Sequence, residues 1–351
     1  MEKQTHFLSF FLLFVCLTMS TVDAVKGWHH HGSVKLFIFG DSYVDTGNLG
    51  KFAASWKEPY GINFPGKPSG RFSDGRVLTD YIASFFGIKS PAPFERRNIT
   101  RKSSEVERGM NFAYGGTGVF NTLVDQPNMT IQIDNFQQLL DRNVYNKDDL
   151  RKSVALVSAA GNDYTTFLLT NGSLQYMPVF TKDLVKQLAM DLKRIKWLGV
   201  QNVLVTALEP IGCLPALTAQ NSHKKCIQSF NSISEFHNRV LKHAVKKLNK
   251  ESKHKSGRFK ILNTYKSFKS ALKKNHHING RLKLKNPLEP CCVGLDGYSC
   301  GGVDEKGVKK YMVCKNPELS FFWDSVHPAQ NGWHAVYSSL NSSLNRVHKS
   351  F

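Results

Sequence analysis

The stretch Val34-Lys35-Leu36-Phe37-Ile38-Phe39-Gly40-Asp41-Ser42-Tyr43 decides how this chain folds. Its short apolar run reads as a buried strand, and Gly40 lets the backbone turn sharply where the run ends. A serine just beyond a buried strand's carboxyl end sits where open α/β sheets bind ligands. A helix beginning after Ser42 would also aim peptide N–H groups at an anion. Taken alone, Gly-Asp-Ser is equally ordinary turn chemistry.

Outward from this strand, further runs at 109–113, 154–159, 203–208 and 259–262 alternate with helical patterns near 74–86, 132–142, 181–198, 228–250, 264–274 and 329–345. That alternation predicts an α/β fold with a central parallel sheet of about five strands. Within 181–198, Leu184, Leu188, Leu192 and Ile195 recur at three- and four-residue spacing and give the helix one apolar face. Pro328 suits the first turn of the last helix. The Pro- and Gly-rich segment 57–76 predicts a long loop across the sheet's working edge. Segment 286–320, with four cysteines and little periodicity, reads as a stapled loop. No internal repeat and no linker divides the chain, so residues 25–351 are expected to form one domain.

Residues 1–24 read as an address. Lys3 precedes the short apolar run from Phe7 to Met19, and Val22-Asp23-Ala24 resembles a cleavage site. The run is shorter than the roughly 20 apolar residues a spanning helix needs. Removing Cys16 with this signal leaves six cysteines, an even set suited to disulfides in an oxidising compartment. Cys213 and Cys226 flank one loop and are expected to pair, while Cys291, Cys292, Cys300 and Cys314 remain unassigned. Four N-x-S/T sequons, at Asn98, Asn128, Asn171 and Asn341, are candidate glycosylation sites. Together these features predict a secreted, extracellular protein without a transmembrane segment. The net charge of +20 favours polyanionic surroundings, with the basic excess concentrated in 242–285. No nucleic-acid module accompanies it, so a solvated helix face, or attraction to acidic polysaccharide or an anionic membrane, is expected instead of nucleic acid.

The far end of the chain supplies a second chemical cluster. In Trp323-Asp324-Ser325-Val326-His327-Pro328 a carboxylate and an imidazole stand three residues apart. Asp324 can fix the Nδ1 side of His327 and leave Nε2 to take a proton from a serine hydroxyl. A helix N-terminus capped by Asp324 or Ser325 is the alternative reading of the same residues.

Gly40-Asp41-Ser42 near the start, with Asp324 and His327 near the end, resembles the first and last blocks of the GDSL/SGNH hydrolases. Asn111-Phe112-Ala113-Tyr114-Gly115-Gly116-Thr117-Gly118 is similar to the second block, and Gly161-Asn162-Asp163 to the third. The stretches Phe64 to Arg76 and Ile211-Gly212-Cys213-Leu214-Pro215 resemble the plant branch. The resemblance covers nearly all of the chain beyond the signal, in the family's order. It implies a three-layer, flavodoxin-like SGNH fold and a secreted esterase or lipase of the cell wall or apoplast. Ser42 would be the nucleophile, with Asp324 and His327 completing a catalytic triad. It implies an oxyanion hole of the Ser42 N–H, the Gly116 N–H and the Asn162 amide, with no metal or cofactor. One departure is Ala160, where the third block usually has glycine. The alternative is a catalytically idle wall- or polysaccharide-binding protein on the same fold. The substrate class is a small-molecule or polymer-borne ester.

Other features invite plainer readings. Gly297-Tyr298-Ser299-Cys300-Gly301 matches G-x-S-x-G, but the strand and helix that such an elbow needs are missing from its flanks. His29-His30-His31 reads as a stretch just after cleavage. His223, His237, His276 and His277 stand in polar contexts and are expected to be exposed. Arg71, Asp74 and Arg76 either shape the rim of the site or form loop-stabilising ion pairs. Leu319 to Trp323 is expected to pack beside the candidate triad and could wall an acyl pocket.

Overall fold

The computed structural model describes residues 34–95, 104–170, 172–252, 258–273, 277–278, 282–284 and 286–348. The expected signal segment, His29–31, Asn98 and Asn171 lie outside the described residues, as do the segments around Lys253, Lys255 and Lys274.

Six parallel strands make the central sheet: β1 (Lys35–Gly40), β2 (Ala92–Pro93), β3 (Gly109–Asn111), β4 (Ser153–Ser158), β5 (Asn202–Thr206) and β6 (Phe259–Leu262), in the order β2-β3-β1-β4-β5-β6. Five were expected; the sixth is the two-residue edge strand β2. Without that edge, the order is the flavodoxin-like 2-1-3-4-5, with its switch point between β1 and β4. The crevice for ligands therefore opens where β1 ends, immediately before Ser42.

The helices are α1 (Leu78–Phe85), α2 (Met129–Asp141), α3 (Lys147–Arg151), α4 (Gly161–Leu169), α5 (Met177–Trp197), α6 (Pro215–Thr218), α7 (Gln228–Glu251), α8 (Thr264–Ala271) and α9 (Gln330–His348). Alternation along β1 sends side chains to both faces of the sheet. Phe37 and Phe39 join the core shared with α2, α5 and α7, while Leu36 and Ile38 join the core shared with α1, α8 and α9. This makes three layers, α/β/α. In α5, Leu184, Leu188, Leu192 and Ile195 are all buried, as their spacing predicts. Lys242, Lys246, Lys247 and Lys250 are exposed on α7, the solvated face expected for this part of the basic run. No described helix is long and apolar enough to cross a membrane.

Two features at the end of β1 fix the following turn. Gly40 has φ +141°, and a Cβ there would lie 1.8 Å from the Ser158 carbonyl oxygen of β4. Buried Gln132 of α2 grips the same residue, its Oε1 accepting from the Gly40 N–H at 2.8 Å and its Nε2 donating to the Gly40 carbonyl at 2.9 Å. Gly40→Ala is expected to destabilise the fold by about 3 kcal/mol, since backbone strain and overpacking each cost roughly 1–3 kcal/mol. Urea unfolding checks this, and a midpoint matching that of the parent would refute it.

Three disulfides staple the connections: Cys213–Cys226, as expected, with Cys291–Cys314 and Cys292–Cys300. The last two hold the 286–320 loop, which also carries β9 (Cys292–Gly294) and β10 (Tyr311–Val313), an antiparallel pair; β7 (His277–Ile278) and β8 (Leu282–Lys283) form another. Ser299 sits in a turn of this stapled loop with neither strand nor helix at its flanks, so the G-x-S-x-G match has no elbow.

Candidate active site

Ser42 and His327 come from opposite ends of the chain. Ser42 Oγ lies 2.8 Å from His327 Nε2, and His327 Nδ1 lies 2.8 Å and 2.9 Å from the two Asp324 oxygens. An ionised carboxylate only accepts, so the imidazole proton belongs on Nδ1 and Nε2 faces the serine hydroxyl as an acceptor. Asp324 Oδ1 also accepts the backbone N–H groups of Val326 and His327, each at 2.8 Å. Asp324 thus closes a turn and is not a helix cap as the alternative reading had it, because α9 begins only at Gln330. Burial by itself would push Asp324 up. The imidazole charge, its hydrogen bond and the two backbone donors outweigh burial and hold the carboxyl below its ordinary range.

The 57–76 loop clamps this pair from above. Buried Tyr60 donates its hydroxyl to Asp324 Oδ2 at 2.7 Å, and the Phe72 ring stacks on the His327 imidazole at 4.8 Å. Burial, then the charge and hydrogen bond of Asp324, keep the Tyr60 hydroxyl protonated well above its ordinary range. Tyr60 is flagged by no motif or period, and Phe72, although it lies within the stretch Phe64 to Arg76, is given no contact with His327 by sequence reasoning. Tyr60→Phe removes a hydrogen bond to a buried carboxylate, a loss of roughly 1.5–3 kcal/mol. Ester-hydrolysis kcat is expected to fall by about tenfold to a hundredfold. With one donor gone Asp324 titrates higher, so activity should begin to fail at a less acid pH. A kcat and pH profile equal to those of the parent would refute both statements.

Arg71, Asp74 and Arg76 hold the same loop. Arg71 makes a two-pronged pair with Asp80 at 2.9 Å and 2.8 Å, and Arg76 lies over the Phe64 ring at 4.1 Å. Asp74 accepts the Gln330 N–H at the start of α9 at 2.6 Å, joining the loop to the helix behind His327. Phe321, Phe322 and Trp323 are fully buried behind the site and do not line its cavity.

Gly116 and Asn162 flank Ser42 on neighbouring connections. Asp45 ties the Ser42 turn to the Gly116 loop by accepting the N–H groups of Gly47, Asn48 and Gly115, and burial pushes its carboxyl up to about 6. Asp163 ties that loop to α4 by accepting the Val119 and Phe120 N–H groups. Asn162 Nδ2 donates to the Thr117 carbonyl at 2.9 Å. Among the described residues, the Ser42 and Gly116 N–H groups have no hydrogen-bond partner. Ala160, which precedes α4, has φ +111°, a left-handed backbone that explains why glycine is usual there.

A cavity of about 370 Å³ is lined by Ser42, Asp41, Asn162 and Glu209, with Leu168, Leu214, Leu217 and Phe230 among its apolar walls. Glu209 is a second feature that sequence reasoning missed. Burial pushes its carboxyl up to about 7, and Asp41 rises from burial first and then from the Glu209 charge. His237, expected to be exposed, is instead buried in α7, with Nδ1 2.9 Å from the Tyr164 hydroxyl. Its position on the packed face of α7 outweighs its polar neighbours in sequence. No group of three metal-ligating side chains occurs among the described residues.

The sheet order defines a flavodoxin-like α/β fold with Ser42 just beyond the central strand, at the switch point. Residues 36–340 match the family described as GDSL-like Lipase/Acylhydrolase. GDSL esterase/lipase At5g03610 of Arabidopsis thaliana is 49% identical over 348 residues, covering 95% of this chain and 96% of the relative. GDSL esterase/lipase At3g09930 of the same plant is 47% identical, covering 89% of each chain. Among solved structures, phospholipase A1 from Streptomyces albidoflavus NA297 aligns with a TM-score of 0.39 at 13% identity, covering 89% of this chain and 99% of that one. The chain belongs to the GDSL-like lipase/acylhydrolase family, and it is a carboxylic ester hydrolase.

Proposed function

We propose that this hydrolase is a secreted serine esterase or lipase in which Ser42 is the nucleophile, His327 the general base and Asp324 the group that orients it. The observation that carries this reading is the unbroken hydrogen-bond series from Asp324 through His327 to the Ser42 hydroxyl. Ser42 Oγ attacks the ester carbonyl as His327 takes its proton. The oxyanion is met by the Ser42 N–H, the Gly116 N–H and the Asn162 amide. His327 then protonates the departing alcohol, and water hydrolyses the acyl-enzyme by the reverse proton path. This chemistry draws only on side chains and backbone N–H groups of the chain.

Residues 1–24 act as the signal and 25–351 as one hydrolase domain, released to the cell wall or apoplast. Three disulfides support an oxidising destination. The basic surface suits acidic polysaccharide or an anionic membrane. Asn98, Asn128, Asn171 and Asn341 are the proposed glycan acceptors. Asn341 is exposed on α9, whereas Asn128 already caps α2 by accepting the Ile131 N–H. Secreted protein should start at Val25 and lose mass with a glycan-cleaving amidase.

The decisive experiment is labelling with a fluorophosphonate, alongside hydrolysis of p-nitrophenyl esters. Parent protein should be labelled at Ser42 and active, and Ser42→Ala should be neither. A folded parent that resists the probe and turns over no ester would remove the proposal; activity surviving in Ser42→Ala would remove the assignment of the nucleophile.

A further inference from the structure

The Phe230 ring, half-buried in the first turn of α7, lines two cavities. One is the cavity of about 370 Å³ that Ser42 also lines. The other, of about 260 Å³, is walled by Leu174, Met177, Ile233 and Phe236, with Ser229 and Ser232 as its polar side chains and no charged residue. Their shared ring means that the two cavities adjoin, with Phe230 between them. Both are mainly hydrocarbon, but Asp41, Ser42, Asn162 and Glu209 gather in the first, and the second has no charged residue.

We propose that the second cavity is the distal half of an acyl site and that Phe230 is the partition between the halves. The ligand that spans them is the aliphatic chain of a long-chain ester. The proposal deepens the esterase reading and rests on it only for Ser42 as the reacting group. A polyhydroxylated chain would exchange its water hydrogen bonds for a cavity with two hydroxyls and no charge, a costly transfer. A hydrocarbon tail gains about fourfold in affinity for each buried methylene. Leu169, at the first cavity, and Leu174, at the second, are 69% and 62% exposed, so the mouths of both halves present hydrocarbon to the outside. A short acyl group would end before Phe230 and ignore everything beyond it. Chain length is therefore read at this ring, and the second cavity decides how much of a longer tail is held.

The test compares kcat/KM for p-nitrophenyl dodecanoate with that for the butyrate in three proteins. Ser232→Phe places a ring in the second cavity from an exposed helix position, so the fold should tolerate it, and a thermal melt checks that. Phe230→Ala removes the partition. The dodecanoate-to-butyrate ratio should fall by about tenfold or more in Ser232→Phe and rise in Phe230→Ala. In parallel, Ser42→Ala is titrated with methyl dodecanoate by calorimetry, with and without Ser232→Phe, and the added ring should weaken binding by a similar factor. Ratios and dissociation constants within about twofold of the parent in folded variants would overturn the proposal. Calorimetric discrimination without any hydrolysis would sustain the acyl site while removing the esterase reading.

Discussion

His327→Gln is expected to lower kcat for a p-nitrophenyl ester by about 10⁴- to 10⁶-fold, with the fold retained. The side chain fills similar space but cannot take the Ser42 proton, and the hydroxyl 2.8 Å away loses its acceptor. Asp324→Asn is expected to cost about 10⁴-fold by a different route. An amide facing Nδ1 favours the tautomer with its proton on Nε2, which then points a hydrogen at Ser42 instead of a lone pair. The two variants should be far from additive, because each disables the same proton path. Single-turnover rates beside a thermal melt measure this. A loss smaller than about tenfold in either variant would show that these residues are not the proton machinery.

The next largest effect belongs to Asn162. Asn162→Ala removes one of the three proposed oxyanion donors and should cost about 10²- to 10³-fold in kcat with little change in KM. Its amide also holds the Thr117 carbonyl, so some stability, about 1 kcal/mol, goes with it. The comparison must therefore use the folded fraction. Should KM rise while kcat stays put, Asn162 would be a binding residue and not an oxyanion donor.

How far the site was legible depended on how local its determinants are. The strand before Ser42 and the pair Asp324 and His327 announce themselves within ten residues, through an apolar run and a three-residue spacing. Their meeting could be inferred because parallel strands deliver their carboxyl ends to one rim. Tyr60 left no such trace: an aperiodic loop does not reveal which aromatic will face a carboxylate 264 residues away. The edge strand β2 was invisible for another reason, since two residues that include Pro93 carry no alternating pattern. Helix α4, absent from the expected helices, begins within the third block, continues to Leu169 and walls the cavity. His237 shows the reverse failure, a polar side chain on the buried stripe of α7 whose partner, Tyr164, lies 73 residues earlier. The disulfide partners among Cys291, Cys292, Cys300 and Cys314 depended on loop geometry that spacing does not encode.

The 285-residue separation between Ser42 and His327 has a consequence for the life of the protein. A chain emerging from its N-terminus exposes the serine long before the imidazole exists to activate it. On the proposed mechanism, Ser42 is armed only once the segment carrying His327 has docked beside it. By the same mechanism, a growing chain cannot yet turn over an ester. A cut ahead of Asp324 that removed the last helix would take His327 away from Ser42 and return the chain to that state.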